Sequence, residues 1–131
     1  MEKQHFFFRL IPPRRTFPGD ATADELALMK KHAEYFAELF NMGKVALYGP
    51  VRSSAGAFGI AILGVEIEAQ AVEIAQNDPS VVGGLNRFDV APMRVSAARA
   101  RGEWSPVRAG RRGVLRLRSS RVFVCRGAER R

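Results

Sequence analysis

The order in which hydrophobic periodicity changes along this chain restricts its fold more than any other feature. Phe6-Phe7-Phe8-Arg9-Leu10-Ile11 is a short aromatic-rich run, ended by Pro12-Pro13 because proline donates to no ladder and disfavours a helix before it. This reads as a buried strand. Over residues 24–42, Leu26, Leu28, Met29, Ala33, Tyr35, Phe36, Leu39 and Phe40 recur on one arc at about 100° per residue, and Lys30, Lys31, Glu34 and Glu38 lie opposite. An amphipathic helix is expected there, capped by Thr22 or Asp24 and stopped at Gly43. Residues 44–51 then form a strand running into Gly49-Pro50, which with residues 52–56 is expected to turn a hairpin into a second apolar strand, residues 57–65. Residues 67–76 are again helical and end at Asn77-Asp78-Pro79. After a turn at Gly83-Gly84, residues 85–95 contain the last strand, interrupted by Pro92.

Strand, helix, strand, strand, helix, strand is the α+β split βαββαβ, or ferredoxin-like, arrangement: a four-stranded antiparallel sheet with two helices on one face. The run Phe58-Gly59-Ile60-Ala61-Ile62-Leu63 is apolar toward both faces, which is costly if one face meets water. A homodimer closed over that face is therefore expected, with the alternative that the C-terminal tail folds over it.

The formal charge of +8 would suggest a nucleic-acid partner were it spread over the fold, but its position argues otherwise. Residues 1–96 carry four Lys and six Arg against eleven Asp and Glu, a net of −1; residues 97–131 carry eleven Arg against two Glu, a net of +9. The expected organisation is thus a domain over residues 1–96 and an arginine-rich extension over 97–131, disordered or weakly structured. Within the extension, residues 113–125 alternate Val, Leu and Phe with Arg in the manner of a strand. Any nucleic-acid contact is expected through this tail alone. No apolar run reaches the roughly 18 residues of a spanning helix, the first residues lack the pattern of a signal peptide, and a cytoplasmic location without membrane contact is expected. The single Cys125 has no partner for a disulfide.

Few residues suggest chemistry. His32 falls inside the apolar arc of the first helix, between Leu39 and Phe36, and so points toward the sheet. A core histidine bonded to a backbone carbonyl fits that position as well as a functional one. Asp78, before Pro79, reads as a helix-stop residue or as the partner of His32, since both helices lie on one face of the sheet. Paired, the carboxylate would fix the imidazole tautomer and leave the other ring nitrogen as acid or base. If the pair lines a solvated cleft in which Asp78 keeps water, His32→Leu is expected to leave stability unchanged or slightly raised. Arg9, Tyr48, Gly49 and Pro50 are the candidate substrate-binding residues, and Arg14-Arg15 offer further cations. Ser53 and Ser54 have no neighbouring base. There is no phosphate-binding glycine loop, dinucleotide fingerprint or zinc-type histidine pair, so neither cofactor nor metal is expected.

The segments Met29-Lys30-Lys31-His32, Gly43-Lys44-Val45-Ala46-Leu47-Tyr48-Gly49-Pro50, Gly56-Ala57-Phe58-Gly59, Asn77-Asp78-Pro79 and Val90-Ala91-Pro92-Met93-Arg94-Val95 resemble, in order and spacing, the YCII-related domain family. The resemblance implies a ferredoxin-like subunit of a dimeric α+β barrel, with His32 and Asp78 matching the histidine and aspartate proposed as that family's active site. One branch of the family resembles dehydrochlorinases of chlorinated hydroxyhydroquinones. The expected function is a cofactor-independent lyase-like or dehydrochlorinase-like enzyme acting by acid–base chemistry on a small polar or aromatic molecule; the alternative is a non-catalytic ligand-binding or interaction module using the same cleft. The arginine-rich tail lies outside the resemblance.

Overall fold

In the computed structural model, the described residues are 2–99 and the backbone of 122–123. The chain divides into two compact units, Met1–Met93 and Arg94–Arg131. In the first, strand β1 (Gln4–Ile11) leads to helix α1 (Ala23–Asn41), the hairpin β2 (Val45–Ser53) and β3 (Gly56–Val65), helix α2 (Glu68–Gln76), the four-residue helix α3 (Pro79–Val82) and strand β4 (Arg87–Met93). All pairings in the sheet are antiparallel, in the order β2-β3-β1-β4. In the second unit, Ala98–Arg99 pairs antiparallel with Val122–Phe123, which lies inside the stretch expected to form a strand. The rest of that stretch lies outside the described residues.

The register explains which side chains form the core. Phe6 stands opposite Leu63, Phe8 opposite Ala61 and Leu10 opposite Gly59, so one face of the two central strands presents large aromatic and aliphatic groups against small ones. Phe36 and Leu39 of α1, with Ala71, Ile74 and Ala75 of α2, pack onto that face. The opposite face carries Phe7, Leu47, Val51 and Ile62, all half-buried.

Helix α1 starts one residue earlier than its periodicity indicates, because Thr22 and Glu25 form a reciprocal capping box: Glu25 N–H donates to Thr22 Oγ1 at 3.2 Å, and Thr22 N–H donates to Glu25 Oε1 at 2.9 Å. Gly43, with φ at +77°, follows the helix in a conformation that favours glycine.

Two sequence expectations need correction here. Gly49 and Pro50 do not turn the hairpin; they lie within β2, opposite Ile60 and Gly59. β2 is an edge strand, where the N–H that proline lacks can face away from the sheet. Pro92 is accommodated in the same way on the other edge strand, β4. The actual turn is at Ser54-Ala55, where Ser53 Oγ donates to the Gly56 carbonyl at 2.8 Å and accepts from Ala55 N–H at 3.2 Å. Asp78, in turn, does not merely stop the second helix. It is the N-cap of α3, with Pro79 at the first helical position. Among the described residues no helix is long and apolar enough to cross a membrane.

Candidate active site

α1 and α3 meet where His32 faces Asp78. His32 Nδ1 lies 2.7 Å from Asp78 Oδ2, while Asp78 Oδ1 accepts from Ser80 N–H and Ser80 Oγ–H, each at 2.9 Å. Both Asp78 and Ser80 are completely buried. The capping geometry of α3 therefore holds the carboxylate from one side and leaves its other oxygen for the imidazole. An ionised carboxylate can only accept, so against it Nδ1 is the ring nitrogen placed to donate. Nε2 has no partner among the described residues.

The His32 ring also packs on Phe36, at 4.9 Å between centroids, and Phe36 touches Phe8 at 5.3 Å and Tyr48 at 5.9 Å. These contacts fix the imidazole plane from the core side. Tyr35, one turn along α1, donates its hydroxyl to the Ile74 carbonyl at 2.8 Å and so ties α1 to α2; its burial, then the charges of Asp78 and Glu73, push the phenol pKa up.

His32 opens onto a cavity of about 430 Å³ between α1 and the sheet. Its walls are mainly apolar and aromatic, with Phe8, Phe17, Met29, Phe36, Tyr48 and Phe58 among them. This is a size and composition suited to a small ligand. Tyr48, Gly49 and Pro50 are among its lining residues. Arg9 is not. It stands opposite Ile60 on the other side of the sheet and bonds Asp89 at 2.7 Å. Arg14 and Arg15 are committed as well, Arg14 to Asp20 and Glu25, and Arg15 to the Ser54 carbonyl. Three residues of the site escape a reading by periodicity: Ser80 behind Asp78, and Arg52 and Asn86 in the cavity wall. Only Ser80 left a sequence signal, since Asp-Pro-Ser is the pattern of an aspartate capping a proline-started turn of helix.

The burial of Asp78 overturns one expectation. The carboxylate keeps no water, so His32→Leu would strand it rather than leave it solvated. Ser80→Ala gives a milder result, because the Ser80 N–H still reaches Oδ1 and only the hydroxyl donor is lost. The expected loss is about 1.5–3 kcal/mol in a denaturant titration, the range for a hydrogen bond to a charged group. A loss below about 0.5 kcal/mol would mean that the hydroxyl contributes little to holding Asp78.

The loop that supplies Pro12, Phe17 and Pro18 to the cavity rim is held by Arg14. Its guanidinium donates two bonds to the Glu25 carboxylate, at 2.7 and 2.8 Å, and two to Asp20, at 2.9 Å to the carboxylate and 3.1 Å to the backbone carbonyl, and lies over the Phe17 ring. These bonds push the Glu25 pKa down to about 2 and lower that of Asp20. A depressed carboxylate stabilises the folded loop fully above its unfolded pKa, and that stabilisation is lost as pH falls through the folded value. Amide signals of residues 14–21 are therefore expected to hold steady between about pH 5 and 8 and to shift as pH falls from about 4.5 toward 2. An equal response on the alkaline side would point to another cause.

The split βαβ sheet and the imidazole–carboxylate pair at an apolar cavity define a small α+β protein with a single candidate acid–base centre among the described residues. The family model of the YCII-related domain matches residues 7–94, most of the sequence, and the chain belongs to that family. Among solved structures, it is similar to 5-chloro-2-hydroxyhydroquinone dehydrochlorinase (TftG) from Burkholderia phenoliruptrix AC1100 in complex with 2,5-dihydroxybenzoquinone, with 18% identity over 67% of this chain and 92% of that one and a TM-score of 0.46. No curated protein matches the sequence.

Proposed function

We propose that this protein is a cofactor-independent acid–base enzyme in which His32 moves a proton to or from a small molecule bound in the cavity and Asp78 orients the imidazole. The observation that carries this reading is the 2.7 Å contact between His32 Nδ1 and a fully buried Asp78, which leaves Nε2 unpaired in the wall of an apolar cavity. A histidine needed only for packing would not require an open space beside its second nitrogen. The chemistry open to such a centre is abstraction of a proton from an activated carbon or hydroxyl and its return to a leaving group, as in a lyase-like elimination.

The test is deuterium exchange in D2O, followed by NMR, on a panel of small carbon acids and halogenated phenols with the wild type and His32→Gln. The wild type is expected to catalyse exchange or elimination with at least one of them, and the variant to lose about 10²–10⁴ of that rate. Activity that survives His32→Gln would remove the imidazole from the reaction. Ligand binding without any exchange would favour a binding module.

The same reading includes a homodimer closed over the face of the sheet opposite α1 and α2. Phe7, Leu47, Val51 and Ile62 form a half-buried apolar row there, which a second copy would remove from water. Sedimentation equilibrium of the full chain is expected to give twice the monomer mass, and Ile62→Lys to return it to one. A wild type that stays monomeric at high protein concentration would end this part of the proposal.

A further inference from the structure

Besides the Tyr48 phenol, two polar side chains of the cavity wall, Asn86 and Arg52, are not used by the His32–Asp78 pair. Asn86 is 4% exposed, and its Oδ1 has no hydrogen-bond partner. Its Nδ2 reaches only the thioether of Met29, at 3.3 Å, which is a weak acceptor. Exchanging the two amide atoms leaves the other one without a good partner, so in either orientation the side chain retains unused hydrogen-bonding capacity. Its backbone N–H is already satisfied by the Ser80 carbonyl, which holds the residue in place independently of the amide.

Arg52 is the second group. It lies on the same face of β2 as Tyr48 and Pro50, is exposed, and makes no hydrogen bond or ion pair among the described residues. Among the described residues no Asp or Glu lines the cavity. The nearest buried carboxylate, Asp78, is saturated by His32 and Ser80 and is absent from the wall. A cationic ligand would thus find no counter-charge, while an anionic one would meet a free guanidinium beside low-dielectric walls.

We propose that the cavity takes a small molecule with an apolar body and one anionic oxygen group, with Arg52 as its counter-ion at the exposed rim and the Asn86 amide bonding a hydroxyl or carbonyl at the buried end. This rests on the reading that the His32 cavity is the functional site, and adds to it the charge and polarity of what enters. An anion so placed lies within the same cavity as Nε2 of His32, and its pairing with Arg52 fixes the orientation of the remaining atoms. The roles differ: Arg52 selects for charge, and Asn86 selects for a second polar group.

NMR titration of the full chain with benzoate, with benzyl alcohol as the neutral analogue and with the three hydroxybenzoates tests this, read at the His32 imidazole and Asn86 amide signals. Benzoate is expected to bind about two- to fivefold more tightly than benzyl alcohol, the range for an exposed ion pair, with the margin shrinking as salt is raised. Arg52→Gln should abolish the margin and leave benzyl alcohol unchanged; Arg52→Lys should restore part of it. At least one hydroxybenzoate should bind more tightly than benzoate, shift the Asn86 amide, and lose its advantage in Asn86→Leu. The amide shift in the wild type decides the role of Asn86 even if that variant does not fold. Equal binding of benzoate and benzyl alcohol with a response at His32 would overturn the charge selectivity and leave the cavity as the site. No response at His32 to any of these compounds would overturn both.

Discussion

His32→Leu is expected to lower stability by about 3 kcal/mol or more, the cost of breaking a buried pair by removing one partner. Asp78 is fully buried and, among the described residues, the His32 imidazole is the only partner of its Oδ2, so leucine leaves that buried oxygen without a hydrogen-bond donor. For a domain of this size the melting temperature should fall by more than about 10 °C. The second variant needed is Asp78→Asn in the leucine background. The asparagine oxygen still accepts from Ser80, and the charge is gone, so part of the stability should return. A His32→Leu protein that melts with the wild type would show that water reaches Asp78 and that the imidazole contributes nothing to folding. The experiment thus separates two roles of one side chain, a proton carrier whose loss is read in activity and a cap on a buried charge whose loss is read in the melt.

The elements of the fold were legible because each is amphipathic in its own period. Phe6, Phe8 and Leu10 alternate toward the core with Phe7 and Arg9 turned away, and Phe36 and Leu39 lie on one stripe of α1. Periodicity placed His32 inside the apolar stripe of α1, where a backbone carbonyl would serve as well as a carboxylate, and it was the resemblance to the YCII-related family that singled out Asp78 as its partner. What the sequence did not disclose depends on facts outside any single segment. The place of Gly49-Pro50 follows from β2 being an edge strand, which is a property of the assembled sheet. The burial of Asp78 follows from α3 closing behind it through Ser80, and a dipeptide Asp-Pro reads equally as the end of one helix or the start of another. Arg9 and Arg52 are both strand arginines with apolar neighbours, yet the register turns Arg9 to the face with Asp89 and Arg52 to the cavity. Asn86 gave no signal at all, because an isolated asparagine before a strand is ordinary loop chemistry until its unpaired oxygen is seen.

Phe36→Ala is expected to cost about 3–5 kcal/mol, the range for truncating a buried phenylalanine. Phe36 is 1% exposed and stands between the core and the site: its ring touches Phe8 on one side, and His32, Tyr35 and Tyr48 on others. Alanine would remove these contacts together and enlarge the cavity by roughly the volume of the ring, since the sheet beneath cannot collapse to fill it. Phe36→Leu should cost less, within about 1–2 kcal/mol, because it keeps most of the buried volume. The two variants should nevertheless share a defect at the site: without an aromatic face beside it, His32 keeps its bond to Asp78 but loses the packing that fixes the imidazole plane. Chemical denaturation gives the first quantity, and the line width of the His32 imidazole signals gives the second. If Phe36→Leu retains wild-type stability and sharp imidazole signals, the ring serves only as core volume, and orientation of His32 rests on Asp78 alone.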